Sequence, residues 1–285
     1  MEKSLQPFIL IGFFGILIWI ISQFGIEQAL AVGTIVSGII WFSYRIIAGK
    51  KKKGDELPYY VDFARSFFPI FLAVLLLRAF LIEPFRIPSG SMMPNLLIGD
   101  FILVNKYTYG IRMPVTKRKI LNINLPARGD VVVFRWPIDE RLDYIKRVVG
   151  LPGDKVSYKD KTLFINDKPM LIESLTRYIP EGSGMRALGS LRGIENLEGI
   201  KHPILLNPMS PNLSASCQFL ESRIVTIPDG FYLMVGDNRD DSNDGRCWGL
   251  VPEKNLVGKA FLIWFSLDWE RPGIVAWNRI GNLIN

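Results

Sequence analysis

Three long apolar runs in the first third of the chain constrain its fold more than any other feature of the sequence. The runs at residues 8–26 and 29–48 are almost wholly apolar and long enough to cross a bilayer, and the run at residues 67–82 is shorter. Three such runs so close together argue against buried core helices of a soluble protein. The sequence therefore predicts a membrane anchor at residues 1–82 with three transmembrane helices.

The loops between these runs differ in charge, and the difference indicates an orientation. The second loop, residues 49–66, contains four consecutive lysines, whereas the first loop contains no basic residue. Basic residues favour the cytoplasmic side of a membrane, so we expect residues 49–66 in the cytoplasm and everything after residue 82 outside it. An alternative is that the first run is a cleaved secretory signal, because Ala29 and Ala31 form a small-x-small pattern.

Charge and cysteine content bear on two other classes of protein. The formal net charge is +7, but the basic residues form a block between apolar runs or alternate with acidic residues, so nucleic-acid binding is not expected. Cys217 and Cys247 share no spacing with each other or with His202 that suggests zinc, and no metal or cofactor is predicted. Whether the two cysteines form a disulfide or remain buried thiols is left open.

Short runs of β-forming residues recur after residue 100, separated by turn residues such as those at 151–154 and 228–230. This pattern predicts a mainly β fold of antiparallel sheets that follows the membrane helices. The predicted strands are residues 101–104, 130–134, 144–149, 162–165, 223–226, 231–235 and 259–264.

One stretch of this region, residues 155–222, differs in composition. It mixes Gly, Ser, Pro and Asn and shows few strand signals. His202, the only histidine of the chain, lies here beside Pro203 in a segment with no strand or helix pattern. We therefore expect a smaller subdomain at residues 155–222, inserted into a β core formed by residues 83–154 and 223–285.

A pair of serines follows directly after the apolar runs. Ser89 and Ser91 are bracketed by Pro88 and Pro94, and the prolines favour an extended segment with exposed amides. Such a segment suits a nucleophilic serine whose own amide, together with a neighbouring hydroxyl, forms an oxyanion hole. These residues alone also fit a plain loop that leaves the membrane.

Serine becomes a good nucleophile only when a base takes its proton, and Lys146 is a candidate base. The pKa of a lysine must fall from about 10.4 toward neutrality for this role, a change of about 4 kcal/mol that requires burial. Lys146 lies in an apolar predicted strand, on the same face as Tyr144. The alternative is a solvated strand lysine. A Ser-His-Asp arrangement would depend entirely on His202.

A dense polar loop, residues 236–246, follows a predicted apolar strand. Its order of acidic and glycine residues is similar to a calcium loop, but the closing carboxylate of such a loop is replaced by Val251. The sequence instead favours a turn ordered by pairing of Asp244 with Arg246.

Taken together, four segments strongly resemble the bacterial type I signal peptidases, also called leader peptidases, in both order and spacing. The similarity extends from about residue 83 to residue 266, except for the insertion, and the segments are residues 89–94, 128–134, 144–154 and 236–246. The resemblance implies a membrane-bound serine endopeptidase with a serine/lysine dyad.

The resemblance also implies roles for individual residues. Ser91 would be the nucleophile and Lys146 the general base, and the Ser89 hydroxyl would form the oxyanion hole with the Ser91 amide. Ser242 would hydrogen-bond and orient Lys146. The residues that would pack beside or brace the dyad are Tyr144, Asp244 and Arg246.

In this family the substrates are secretory preproteins whose signal peptides end in small residues at minus three and minus one. Small, dry pockets reject larger side chains by overlap. We expect a multi-pass protein of the bacterial cytoplasmic membrane, monomeric, with its catalytic domain on the periplasmic side and secretion machinery nearby. The residues that match pocket-lining positions are Phe85, Ile87, Met92, Leu96, Ile102, Val133 and Ile145.

The chain departs from the family pattern in two respects. The best-known Gram-negative relatives have two spans and an outward N-terminus, whereas three spans and an inward N-terminus are predicted here. Asp241 and Gly245 replace the usual Asn and Ser, and Asp241 could alter the electric field at Lys146. The remaining alternative is a non-enzymatic, membrane-anchored β domain that binds envelope partners.

Overall fold

The computed structural model describes residues 2–47, 57–113, 118–211, 217, 219–220 and 223–285. The chain divides into two compact units. One comprises Met1–Ile82 with Ile111–Ile120, and the other comprises Glu83–Gly110 with Leu121–Asn285.

The first unit contains three long helices, α1 (Glu2–Phe24), α2 (Ile26–Ile47) and α3 (Tyr59–Leu76). A π-helical turn, Leu77–Leu81, continues α3. Two stretches, Ile26–Ile47 and Tyr59–Leu81, are long and apolar enough to cross a membrane, whereas the described apolar part of α1, Ile11–Phe24, is shorter. A transmembrane role for α1 therefore stays a prediction.

The third helix begins at Tyr59, well before the predicted apolar run, so the loop predicted at residues 49–66 is shorter than expected. Val61 and Ala64 are buried and extend the apolar face of the helix toward its N-terminus. The lysine block of that loop lies outside the described residues.

Small residues on α2 allow close packing of α3 against it. The rings of Phe71 and Phe68 lie over Gly33 and Gly38, and a Cβ atom at position 38 would be only 2.9 Å from the Phe68 ring. Close packing at small residues is the usual way in which membrane helices associate.

The second unit is built mainly of β-strands, which confirms the predicted fold class. The strands of the described residues are β1 (Ile82–Arg86), β2 (Asp100–Asn105), β3 (Ile111–Arg112), β4 (Lys119–Leu121), β5 (Val131–Arg135), β6 (Asp143–Gly150), β7 (Lys155–Lys159), β8 (Thr162–Ile165), β9 (Lys168–Pro169), β10 (Ile172–Arg177), β11 (Leu191–Leu197), β12 (Ile200–Leu206), β13 (Val225–Thr226), β14 (Phe231–Val235), β15 (Val251–Pro252) and β16 (Leu256–Ser266). The largest sheet has seven strands in the order β1-β2-β16-β5-β6-β14-β15, and the successive pairs from β2 to β15 are antiparallel.

The stretch at residues 155–222 contains far more strand than its composition predicts. It contributes β10, β11 and β12 to one sheet and β7, β8 and β9 to another. Two-residue turns join several of these strands, with positive φ at both central residues, as at Asp160 and Lys161 and at Glu198 and Gly199. Such tight turns leave little loop sequence between strands, so the polar turn residues obscured the strand pattern.

The segment around His202 also differs from the prediction, because it lies inside β12. His202 pairs with Glu195 of β11, and Pro203 pairs with Ile194 in the same register. Pro is unusual within a strand, and its presence hid the pattern.

Successive residues of β5 point to opposite faces of the large sheet and are buried on both. Val131 and Val133 join one hydrophobic cluster, and Val132 and Phe134 join another. Lys146 of β6 lies directly opposite Val132, so its side chain points to the face that carries the second cluster.

The two cysteines, whose state the sequence leaves open, form a disulfide. Cys217 is bonded to Cys247. Cys247 belongs to α4 (Gly245–Trp248), a single helical turn at the end of the polar loop.

Candidate active site

Turns, rather than the predicted extended segment, present Ser91. The backbone amide of Asn238 donates to the Ser91 carbonyl at 3.0 Å, and the Asn238 side chain donates to the Gly90 carbonyl at 3.1 Å. A further turn bond runs from Met93 N to Gly90 O at 3.1 Å. These bonds overcome the preference of the flanking prolines for extended backbone.

Lys146 and Ser91 meet although 55 residues separate them along the chain. The Lys146 Nζ atom donates to Ser91 Oγ at 2.6 Å and to the Ile145 carbonyl at 3.0 Å. Both side chains are buried, with relative exposures of 4% for Lys146 and 7% for Ser91. The ring of Tyr144 lies 5.4 Å from Nζ and covers the lysine on its own strand face.

Burial lowers the pKa of Lys146 from 10.5 to about 8. Desolvation is the main cause, and the charge of Arg246 acts in the same direction, whereas the carboxylates of Asp244 and Asp237 oppose it. A lysine with this pKa is partly neutral near pH 8, so its Nζ can accept the proton of the Ser91 hydroxyl.

Two groups close to Ser91 can stabilise an oxyanion. Ser89 Oγ lies 3.4 Å from Ser91 Oγ. Among the described residues the Ser91 amide donates to no acceptor. A free amide and a hydroxyl beside the nucleophile have the chemistry of an oxyanion hole.

Asp244 organises the polar loop. Its carboxylate accepts from the Gly236 amide at 2.9 Å and pairs with Arg246 through Nε and Nη2, both at 2.9 Å. The Arg246 guanidinium in turn lies 4.8 Å from the ring of Tyr158. The structure thus pairs the two residues that the sequence predicts to order this turn.

Among the hydrogen bonds of the described residues none joins Ser242 to Lys146, whereas the family resemblance implies such a bond. The Ser242 hydroxyl instead interacts with the carboxylate of Asp244. The hydroxyl packs against Gly236, and a Cβ atom at position 236 would collide with it and lie 2.6 Å from the Ser91 carbonyl oxygen. Glycine is therefore required for this close approach.

Arg147 and Asp237, which the sequence did not single out, also belong to the site. Arg147 Nε and Nη2 donate to the two carboxylate oxygens of Asp237, each at 2.8 Å, and Asn95 donates to the same carboxylate at 2.6 Å. The available signal was an arginine inside an apolar predicted strand, because a buried arginine needs a carboxylate partner. Asp241 is exposed and is not among the groups that shift the pKa of Lys146.

His202 is not part of a Ser-His-Asp arrangement. Its Nε2 atom lies 3.5 Å from Glu195 and 3.6 Å from Asp237, and burial lowers its pKa to about 4. The Ser91 hydroxyl contacts Lys146 instead.

The seven predicted pocket residues come together in one hydrophobic cluster. Six are buried, and Phe85 packs against them while partly exposed. Met92 and Ile145 are the direct chain neighbours of Ser91 and Lys146, and Ile145 points to the opposite face of the sheet from Lys146. The seven predicted residues in this cluster are Phe85, Ile87, Met92, Leu96, Ile102, Val133 and Ile145.

Comparison with known proteins identifies the family. The family model described as signal peptidase, peptidase S26, matches residues 60–265. The chain belongs to the S26 signal peptidase family.

Curated S26 relatives named signal peptidase I match most of the chain. Those of Pseudomonas fluorescens and Pseudomonas aeruginosa are each 45% identical, and each alignment covers 78% of this chain and 77% of the relative. The protein of Buchnera aphidicola subsp. Acyrthosiphon pisum is 38% identical over 89% of this chain and 97% of its own length. Among solved structures, signal peptidase I from Enterococcus faecalis is 27% identical, with a TM-score of 0.30 over 48% of this chain and 98% of that one.

Proposed function

We propose that this S26 family member removes signal peptides from secretory preproteins with Ser91 as the nucleophile and Lys146 as the general base. The observation that carries this proposal is the 2.6 Å contact between Lys146 Nζ and Ser91 Oγ in a buried site. The pKa of Lys146, lowered to about 8, supports it, because a base must be available in its neutral form. The relatives named signal peptidase I support the substrate class.

In the proposed reaction, neutral Lys146 takes the proton of Ser91 as Oγ attacks the scissile carbonyl carbon. The carbonyl oxygen becomes an oxyanion, which accepts hydrogen bonds from the Ser91 amide and the Ser89 hydroxyl. The protonated lysine then gives its proton to the departing amine of the mature protein, and an acyl-enzyme remains on Ser91. Water, deprotonated by Lys146, hydrolyses the ester and restores both side chains.

The cluster that contains the chain neighbours of Ser91 and Lys146 supports specificity for small residues at minus three and minus one. Met92, which directly follows Ser91, is fully buried in this cluster together with Leu96 and Ile102. A larger substrate side chain would have to displace packed side chains, and overpacking costs about 1–3 kcal/mol. Small side chains avoid this penalty.

The same proposal includes an environment. The two stretches long enough to span a bilayer support a multi-pass protein of the bacterial cytoplasmic membrane, with the β unit on the periplasmic side. The bilayer, secretory preproteins and nearby secretion machinery are then its partners, and the working unit is a monomer.

The test uses the full chain in detergent, a preprotein, and mass analysis of the products. We expect cleavage after a small residue at the end of the signal peptide, and loss of cleavage in both Ser91→Ala and Lys146→Met. Methionine keeps the volume of the lysine side chain without its amine. Lys201→Met, at an exposed lysine paired with Glu173, is the matched control and should cleave normally.

Retained cleavage by Lys146→Met would refute the dyad. Cleavage at an unrelated position would refute the proposed specificity. A non-enzymatic β domain would give neither a product nor an acyl adduct on Ser91.

A further inference from the structure

We infer that the disulfide between Cys217 and Cys247 is a positioning element for the catalytic dyad, because it anchors the turn that carries Asp244 and Arg246. This inference rests on the proposed function, in which Lys146 is the general base. Without that role, the crosslink would be a stabilising bond only.

Cys247 is directly connected to the turn that it anchors. It follows Arg246 in α4, a helix of only four residues, and its amide donates to the Asp244 carbonyl at 2.8 Å. Asp244 also caps the helix by accepting from the Arg246 amide at 3.1 Å. A helix this short is not stable by itself and depends on contacts outside it.

The segment that contains Cys217 supplies such contacts. The Leu220 amide donates to the Arg246 carbonyl at 3.2 Å, and the Leu220 side chain is fully buried. The ring of Phe219 packs on Gly249 at the end of α4, where an added Cβ atom would lie 3.5 Å from it. The disulfide joins positions 30 residues apart and fixes this segment on α4.

From α4 a continuous set of contacts leads to the nucleophile. Asp244 accepts from the Gly236 amide at 2.9 Å, and Arg246 Nη2 donates to the Arg239 carbonyl at 2.5 Å. Gly236 in turn is so close to Ser91 that a Cβ atom would lie 2.6 Å from the Ser91 carbonyl oxygen. Movement of α4 therefore opens the surroundings of the dyad to water.

Entry of water around the dyad would change the pKa of Lys146. The groups that act on its charge are Asp244, Asp237 and Arg246, and the ring of Tyr144 packs beside it. Because desolvation is the largest cause of the lowered pKa, entry of water raises the pKa of Lys146 from about 8. For each unit of increase, the neutral fraction at pH 7 falls about tenfold.

The test is the pH profile of kcat/KM for the full chain in detergent, in wild type and in a double variant with Cys217→Ser and Cys247→Ser. We expect the rising limb of the double variant to move to higher pH by about half a unit or more, with severalfold lower activity at pH 7 and recovery toward pH 10. Met170→Ala is the matched control, because it removes a buried side chain that directly follows β9. Met170→Ala should lower thermal stability without moving the rising limb of the pH profile of kcat/KM.

The inference would be overturned if the rising limb of the pH profile of kcat/KM lay at the same pH in the double variant and in wild type. It would also be overturned if the intact mass of unreduced wild type showed two free thiols. If the double variant fails to fold, folded wild type is reduced and alkylated, and the same shift is expected. Ser91→Ala separates the two proposals. Cleavage by Ser91→Ala overturns the proposed function, whereas an unchanged limb with an inactive Ser91→Ala overturns only the role of the disulfide.

Discussion

The most demanding prediction concerns the stability penalty for a buried lysine. Because burial lowers the pKa of Lys146 from 10.5 to about 8, the unfolded chain binds a proton more tightly than the folded chain does. Below pH 8 the folded protein holds a charged, desolvated lysine, and the difference in pKa corresponds to about 3 kcal/mol of lost stability. This penalty disappears as the pH rises from about 8 through the unfolded-state pKa.

Lys146→Met removes the titrating group and therefore the penalty. Loss of the hydrogen bonds to Ser91 and the Ile145 carbonyl offsets part of the gain, at about 1 kcal/mol each. At pH 7 the variant should be as stable as wild type or more stable. Between pH 7 and pH 10, wild type should gain about 2 kcal/mol relative to the variant.

The assay is urea unfolding of the full chain in detergent at several pH values, followed by near-ultraviolet circular dichroism. Taking the difference between variant and wild type cancels the titration of all other groups. Lys201→Met should show no comparable dependence on pH. A Lys146→Met difference that stays constant from pH 7 to pH 10 would refute the conclusion that Lys146 is desolvated in the fold.

Three further substitutions test neighbouring features of the site. Ser89→Ala should lower kcat by about a hundredfold with little change in KM, because it removes one oxyanion donor, and Ser89→Thr should retain more activity. Gly236→Ala should abolish cleavage in a folded protein, since its Cβ atom would lie 2.6 Å from the Ser91 carbonyl oxygen; normal kinetics would contradict this geometry. Arg147→Met should lower unfolding free energy by about 3–5 kcal/mol because it leaves Asp237 buried without its ion partner, and a loss below 1 kcal/mol would argue against the pair.

Local sequence patterns predicted the elements that depend on near neighbours. The strand that carries Lys146 followed from its run of β-forming residues. Tyr144 pairs with Phe134 and Lys146 with Val132, which places Tyr144 and Lys146 on the same face, as predicted. The contact between Lys146 and Ser91 could not follow from alternation, because it joins residues far apart in the chain. The family motifs suggested this contact, and the structure gives the distance between Lys146 Nζ and Ser91 Oγ as 2.6 Å.

The inserted stretch shows where composition misleads. Its strands are joined by two-residue turns and one strand contains Pro203, so residues typical of loops occupy positions in sheets. His202 consequently lies in a strand opposite Glu195. The disulfide was equally inaccessible, because two cysteines in a sequence do not reveal how close the fold brings them.

The lowered pKa of Lys146 depends on a balance of charges that no single motif specifies. Asp237 and Asp244 both favour the charged lysine, yet each is paired with its own arginine, Arg147 and Arg246 respectively. A paired carboxylate exerts a weaker net field than a free one, so desolvation prevails over the two acids. Removing either arginine while its acid remains should therefore raise the pKa of Lys146. The two ion pairs act on the dyad by neutralising the acids that would otherwise keep the lysine protonated.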